Sequence, residues 1–380
     1  MQKRLLQNLI KGMYNSKETI LEINLNYVKH NLDYLKSKLK PSTKFLAVVK
    51  AFAYGNDAIT IAKYLESLGV DYFAVAYTQE GVNLRKAGIK TPILVLHPQT
   101  PNLKHIIDYC LEPNLYNAKI LKEFITVSKN ENQENYPVHI KFNTGLNRLG
   151  FWKNDVDYLT TTISKTKTIK VASMFSHLAA SEDENEKNFT QNQIDSFKVI
   201  SSEFYQKLGY KPLLHICNTS GILNYHDAHF DMVRSGIGLY GFGNSKKENK
   251  NLIPIASLKT VISQIHTIEK GESVGYNRAF KSEKNLRIAT LPIGHADGIG
   301  RIYGNNIGSV IINHKKASIV GNVCMDMIMV NISDIDCKEG DEVIIFNQNY
   351  TAEELAEVAG TISYELITSI SQRVKRKIIE

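Results

Sequence analysis

Several residues able to do chemistry stand just past short apolar runs: Lys50, Tyr54, His97, Lys141, Arg148, His177, Asn218, Ser220, Arg234 and Gly236. Together they offer an amine nucleophile, several cations and small hydrogen-bonding groups. That set suits an anionic ligand bearing a carbonyl. Lys50 follows Phe45-Leu46-Ala47-Val48-Val49. At the edge of an apolar pocket an ammonium loses hydration, so its pKa falls and the amine can attack an aldehyde. Position alone favours a surface lysine at a loop start. Ser235-Gly236-Ile237-Gly238 has two glycines that let backbone N–H groups approach a phosphate, and Asn218-Thr219-Ser220 fits the same task; plain turns fit both segments equally well. His226 and His229 have the spacing of a metal pair, but no third ligand completes a site, so they read as loop residues and no metal is expected. His215 lies inside an apolar run and reads as a hydrogen-bonded core residue.

The elements that must position these groups follow from periodicity. Between residues 43 and 235, strand-like runs at 44–49, 72–76, 92–96, 113–116, 137–142, 169–175, 212–216 and 230–234 alternate with helical patterns. One helix is predicted over 57–68, with Ile59, Ala62, Leu65 and Leu68 on its buried face and Gly69 closing it. Another spans 190–208, opened by Thr190 and closed by Gly209. Eight such units predict an α/β fold, a (β/α)8 TIM-type barrel, with its site at the C-terminal strand ends. An open doubly wound sheet is the rival, but no GxGxxG follows the first strand. Past a polar stretch at 244–251 the strand-like runs come without intervening helices, at 254–268, 286–293, 308–312, 317–331 and 342–346, with helical patterns at 351–359 and 363–370. The expected division is an extension at 1–16, a barrel at 17–245 and a mostly-β C-terminal domain at 246–380. The first strand, about 19–24, is expected to pack with the latter.

The 380 residues carry 46 Lys and Arg against 38 Asp and Glu, a net +8, with 43% apolar and 22% charged residues. Those values exclude a disordered or fibrous chain. No apolar run approaches the ~20 residues of a membrane span. The excess charge is dispersed, with no Arg stripe and no aromatic–basic interleaving, so neither nucleic acid nor membrane is an expected partner. Arg373, Lys375, Arg376 and Lys377 read as the solvated end of a C-terminal helix. Cys110, Cys217, Cys324 and Cys337 form no CxxC pair, which suits reduced thiols in the cytoplasm. Gln7 and Asn8 break the first apolar stretch and no small-residue cleavage site follows, so the N-terminus does not read as a secretory signal.

Ala-Val-Val-Lys50-Ala-Phe-Ala-Tyr54-Gly resembles the pyridoxal-phosphate attachment motif of the alanine racemase family. The likeness continues through Lys141-Phe-Asn-Thr-Gly-Leu-Asn-Arg148, Ser176-His177, His215-Ile-Cys-Asn218-Thr-Ser220 and Arg234-Ser-Gly236-Ile237-Gly. It extends to Gly-Tyr276-Asn-Arg, Cys324-Met325-Asp326 and Ser-Tyr364-Glu, in family order from about Ile20 to Ile379. The resemblance implies a barrel plus β-domain, a head-to-tail homodimer with shared active sites, and pyridoxal 5'-phosphate as cofactor. Lys50 would hold the cofactor covalently. Tyr54, Ser220, Tyr364 and the backbone at Gly236 and Ile237, with Asn218 nearby, would grip its phosphate. Arg234 would meet the pyridine nitrogen and Arg148 the phenolic oxygen. Arg148, Met325 and its neighbours Cys324 and Asp326 would meet the substrate. Lys141 would be carbamylated, and His177 would link Tyr276 to Arg234. Inverting a stereocentre requires proton loss on one face and return on the other. The resemblance supplies the two bases as Lys50 and Tyr276, the latter from the other subunit.

The implied activity is interconversion of L- and D-alanine, supplying D-alanine for peptidoglycan precursors in the cytoplasm. The chain departs from the family pattern at Phe52 (usually Asn), Asn56-Asp57 (His-Gly), Asn143 (Asp), His295 (Tyr) and Asn322 (Arg). The last two alter the entrance corridor. A racemase of broader or larger amino-acid specificity is therefore an alternative, as is a non-catalytic pyridoxal-phosphate carrier barrel.

Overall fold

A computed structural model describes residues 19–380; the expected extension at 1–16 lies outside the described residues. The chain divides into two compact units, one of residues 25–253 and one combining 19–24 with 254–380.

In the larger unit, β2 (Lys44–Val48), β3 (Tyr72–Val75), β4 (Ile93–Val95), β5 (Glu112–Leu115), β6 (Tyr136–Lys141), β7 (Ile169–Phe175), β8 (Leu213–His215) and β9 (Met232–Ser235) pair in parallel in the order β8-β7-β6-β5-β4-β3-β2-β9. The Asp231 N–H donates to the Leu214 carbonyl (3.1 Å) and the Arg234 N–H to that of Cys217 (3.1 Å), so two bonds tie the seam between β8 and β9. This is the expected (β/α)8 barrel. Its strands are apolar because both faces are covered, the inner by opposing strands and the outer by helices. Phe45, Leu46, Ala47, Phe73, Ala74, Val75, Ile93, Leu94 and Val95 are buried.

Helices fill the connections. Ala58–Ser67 starts where the Asp57 side chain accepts the Thr60 N–H, an N-cap of the usual chemistry. Its buried face is Ile61, Ala62 and Leu65, whereas Ile59 is exposed. The apolar stripe is rotated from the one predicted, because Ile61 rather than Ile59 continues the Ala62–Leu65 row. Lys187–Leu208 begins a turn before Thr190, since Thr190 is itself buried on the face with Ile194, Phe197, Ile200 and Phe204. Gly209, at φ +81°, ends it.

The second unit is built on a nine-stranded sheet ordered β11-β14-β17-β16-β15-β18-β10-β1-β19. The strands are β1 (Ile20–Asn24), β10 (Ala256–Val261), β11 (Gln264–Ile268), β14 (Leu286–Leu291), β15 (Ser309–Ile312), β16 (Lys315–Val320), β17 (Ile328–Asn331), β18 (Glu342–Phe346) and β19 (Lys375–Ile379); β12 (Ser273–Val274) and β13 (Phe280–Lys281) form a separate ribbon. β1 runs antiparallel to β10 and parallel to β19. The run read as 254–268 is two strands, and so is 317–331, whose interruption holds Cys324-Met325-Asp326.

The basic tail is not the solvated helix end predicted. Lys375, Arg376 and Lys377 lie in strand β19 and Arg373 just before it, and these cations have partners: Lys377 pairs with Glu22 (3.0 Å), Arg373 with Asp297 and Asp326 (both 2.7 Å), and Arg376 donates to the carbonyls of Val374 (2.6 Å) and Ile370 (2.8 Å). Pairing with β1 outweighs the weak local preference of a Lys/Arg-rich run. Among the described residues no helix is long and apolar enough to cross a membrane.

Candidate functional site

Lys50 opens the connection after β2, at the C-terminal mouth of the barrel. The next four residues wind left-handed: Ala51, Phe52, Ala53 and Tyr54 have φ of 51°, 55°, 52° and 55°. Each costs about 1–2 kcal/mol against the right-handed region. Hydrogen bonds brace the turn from both ends. The Ala51 N–H donates to Glu80 Oε1 (2.6 Å), Gly55 N–H to the Ala51 carbonyl (2.9 Å), and the Asn56 amide to the Ala53 carbonyl (2.8 Å). Glu80 Oε2 also accepts from Ala76 N–H (2.7 Å) and Tyr77 N–H (3.1 Å), so one carboxylate ties the loops after β2 and β3 together. The unusual Asn56-Asp57 pair thus has two local tasks, bracing the turn and capping the next helix.

Burial lowers the Lys50 pKa; the Arg148 cation lowers it further, and Glu80 opposes. Lys141, on β6, is pushed down to about 7 by burial and by Arg148, Arg234 and Lys50. Arg148 is carried by a loop that Asn143 organises, its Oδ1 accepting from Gly145 N–H (3.1 Å) and Asn147 N–H (2.9 Å). An amide oxygen therefore serves where the family usually has a carboxylate.

Arg234 is buried on β9, and burial brings it down to about 10, still protonated near neutrality. It donates to His215 Nδ1 (2.7 Å), to His177 Nδ1 (3.1 Å) and to the carbonyls of Ser176 (2.7 Å) and Ile216 (3.0 Å). Phe175 lies beneath it, 5.3 Å from guanidinium carbon to ring centre, and stacks on His215. Burial and the cations Arg234, Lys141, Arg148 and Lys50 keep His177 neutral, well below the usual imidazole range. His97 lies between the rings of Tyr77 and Tyr116.

The segment after β9 forms a cradle. A Cβ on Gly236 would lie 2.2 Å from Tyr54 Oη, and one on Gly238 2.6 Å from Thr219 Cγ2. Thr219 Oγ1 pairs with Ser235 Oγ (3.0 Å) and accepts the Gly238 N–H (3.3 Å). Ser220 is elsewhere: its hydroxyl donates to Glu248 Oε2 (2.9 Å) and accepts from the Asn244 amide (2.8 Å). The hydroxyl beside the cradle is Thr219, which lies in the Asn218-Thr219-Ser220 segment expected to grip a phosphate, although the resemblance assigned the role to Ser220. Asn218 Oδ1 accepts from Gly221 N–H (2.9 Å) and Ser181 Oγ (2.8 Å), so it caps the helix Thr219–Asn224.

The β-rich unit presents its own groups. Tyr276 is 73% exposed and Met325 59%, unusual for large apolar side chains. Tyr276 sits on a turn with Asn277 and Arg278 at φ 59° and 50°, and its carbonyl accepts from the Asn322 amide (3.2 Å). The carbonyls of Cys324 and Met325 accept the N–H groups of His295 (2.9 Å) and Ala296 (3.0 Å). Gly294 makes that approach possible, since a Cβ there would lie 2.4 Å from both oxygens. Arg373 bridges Asp326 to Asp297, fixing the far side of the same turn. Tyr364 belongs to the helix Ser363–Ser369.

The profile of the alanine racemase N-terminal domain matches residues 23–243, and that of the alanine racemase C-terminal domain matches 255–378. An alanine racemase from Thermodesulfovibrio yellowstonii is 37% identical, covering 94% of this chain and 97% of the relative. The solved alanine racemase of Clostridium difficile 630 is similar with a TM-score of 0.90 at 35% identity, over 96% of each chain. The Bartonella henselae alanine racemase, solved with covalently bound pyridoxal phosphate, has a TM-score of 0.86 at 29% identity, over 95% of this chain and 99% of that one.

Proposed function

The chain belongs to the alanine racemase family, and we propose that its barrel mouth is the cofactor site of a cytoplasmic head-to-tail homodimer, each mouth completed by the partner subunit's Tyr276 and Met325. It interconverts L- and D-alanine with pyridoxal 5'-phosphate as cofactor. The D-alanine would supply peptidoglycan precursors.

The residues present fit the cofactor. A lysine amine whose pKa burial and Arg148 lower suits an aldehyde, and the cations Arg148 and Arg234 suit a phenolate and a ring nitrogen. The glycines let a phenol, a hydroxyl and backbone N–H groups converge where side chains would block them. Lys50 Nζ would hold the cofactor covalently; Tyr54, Thr219, Tyr364 and the backbone at Gly236 and Ile237 its phosphate; Arg234 its ring nitrogen; Arg148 its phenolic oxygen. When bound, the cofactor draws electron density from the substrate Cα and so lowers the cost of removing that proton.

The protein's residues do the rest. Lys50 Nζ takes or returns the Cα proton on one face, and the partner's Tyr276 Oη does so on the other. Arg234 donates a hydrogen bond without surrendering its proton, because guanidinium stays charged near neutrality. His177 accepts from Arg234 at Nδ1, which leaves its proton on Nε2. That N–H can orient the Tyr276 phenol. Lys141, with a pKa near 7, can add carbon dioxide as its free amine, releasing one proton to form a carbamate that would pair with Arg148.

Lys50 carries this reading: an amine of lowered pKa at the barrel mouth, followed by the left-handed turn that brings Tyr54 to Gly236. Purified protein incubated with L-alanine should yield D-alanine by chiral chromatography. Borohydride treatment should leave a phosphopyridoxyl group on the Lys50 peptide by mass spectrometry. Label at another lysine, with no D-alanine formed, would overturn the assignment. His295 is exposed and Asn322 braces the Tyr276 turn, which favours a second reading of broader specificity. D-serine or D-lysine appearing at rates near that of D-alanine would establish it.

A further inference from the structure

Beyond His215, Arg234 connects to a chain of buried groups that crosses the barrel. Ser173 Oγ lies 2.8 Å from His215 Nε2 and 2.5 Å from His139 Nδ1, and Glu112 Oε2 lies 2.7 Å from His139 Nε2. His139, Ser173 and His215 have no exposed surface, and Glu112 is 8% exposed. They come from β5, β6, β7 and β8 in succession. A register shift between Val138 and His139 pairs His139 with Ser173 across β6 and β7. Bulges re-aim side chains in this way.

We propose that Glu112, His139 and Ser173 are positioning residues that act through His215 to hold Arg234 in one orientation. The proposal rests on the reading that Arg234 meets the cofactor ring. A guanidinium has only donors, so His215 Nδ1 accepts from Arg234. A neutral imidazole that accepts at Nδ1 carries its proton on Nε2, so His215 donates to Ser173. The single Ser173 hydrogen is then left for His139 Nδ1, and His139 Nε2–H donates to Glu112. All four bonds point from cation to carboxylate. Reversing the His215–Ser173 bond would bring a His215 N–H against an Arg234 N–H, and reversing the Ser173–His139 bond would require a doubly protonated His139 ring.

The surroundings support a single direction. Every hydrogen-bond partner given above for Arg234 is neutral: two imidazoles and two carbonyls. Burial and the Arg234 cation hold His215 well below the usual imidazole range. Tyr72, Arg85 and Tyr136 face Glu112; Tyr72 stands edge-on to His139 at 5.9 Å; Phe175 stacks on His215 at 4.8 Å. The Cys217 thiol, raised to about 12 by burial, faces Arg234 as a neutral group. The carboxylate at the far end is the relay's one anionic terminus among these groups.

The test uses the intact holoenzyme. Nitrogen-15 NMR of histidine-labelled protein near neutral pH should show His139 and His215 as neutral rings, each protonated on Nε2. A proton on Nδ1 of either ring overturns the relay. This readout is independent of whether alanine is racemised. Ser173→Ala, which cuts the chain, should scramble the His215 tautomer, shift the bound cofactor's absorption band and lower kcat about tenfold or more, with KM for alanine within about twofold. Glu112→Gln keeps an accepting oxygen and should keep both tautomers and most of kcat, where Glu112→Leu does not. Unchanged tautomers, band and kcat in Ser173→Ala would refute the proposal.

Discussion

Lys141 is held near three cations, Arg148, Arg234 and Lys50, in a buried setting, and loses its own charge to relieve the crowding. A free amine near neutral pH is the form that takes up carbon dioxide. Protein equilibrated with carbon-13 bicarbonate should show a carbamate carbonyl signal that is absent from Lys141→Met. The same crowding has a stability consequence. An unfolded Lys141 titrates near its ordinary 10.5 and the folded one near 7, so the unfolded chain binds more protons between those values. This contribution therefore makes stability rise with pH from about 7 to about 10.5 in carbamate-free protein, and Lys141→Met should flatten that rise in urea titrations. Tyr276 is the opposite case, a phenol in the open. If it serves one face of the substrate, Tyr276→Phe should lower kcat in both directions by about 10²–10⁴-fold. It should also leave solvent-deuterium exchange at Cα from only one alanine enantiomer, read by proton NMR. Exchange from both would show that the phenol is not a base.

At the scale of elements, the costliest piece is the left-handed turn 51–54, which at about 1–2 kcal/mol per residue stores several kcal/mol. Glu80 opposes that strain with three backbone N–H bonds spanning two loops. Glu80→Ala should let the turn relax and displace Lys50. The expected outcome is slower borohydride-trapped labelling at Lys50 and a kcat reduced about 10²-fold, since small misplacements of a reacting group cost that much. Glu80→Gln, which keeps an accepting oxygen, should lose less. The barrel itself was legible because most of its strands are largely apolar runs and helical periodicity separates them. Lys50, Arg234 and Gly236 were legible because motif order is written in the chain. The choice of Thr219 within its segment was not: successive residues at a helix start point about 100° apart, so only the backbone path decides whether Thr219 or Ser220 meets the cradle. Glu112 was equally hidden, because its partner His139 lies on another strand and is aligned by a register shift. The basic tail misled for a related reason. Its partner strand β1 lies at the other end of the sequence, where no local pattern reports it.

For the whole molecule the decisive question is whether one chain contains a complete site. Lys50 belongs to the barrel unit and Tyr276 to the β-rich unit, and the proposed head-to-tail dimer would build each site from one chain's Lys50 and the other chain's Tyr276. Lys50→Ala and Tyr276→Phe should each be nearly inactive alone. In a heterodimer of the two, one site carries both substitutions and the other carries neither. Random mixing of equal amounts makes about half the dimers heterodimers, each with one intact site of two, so activity should return to about a quarter of the wild-type value. Recovery requires subunit exchange, so it should appear after dilution or mild denaturant and fail in covalently cross-linked homodimers. If each site were built within a single chain, every site in the mixture would retain one lesion and mixing would restore nothing. Hydrodynamic measurement on the same samples separates absence of exchange from absence of sharing.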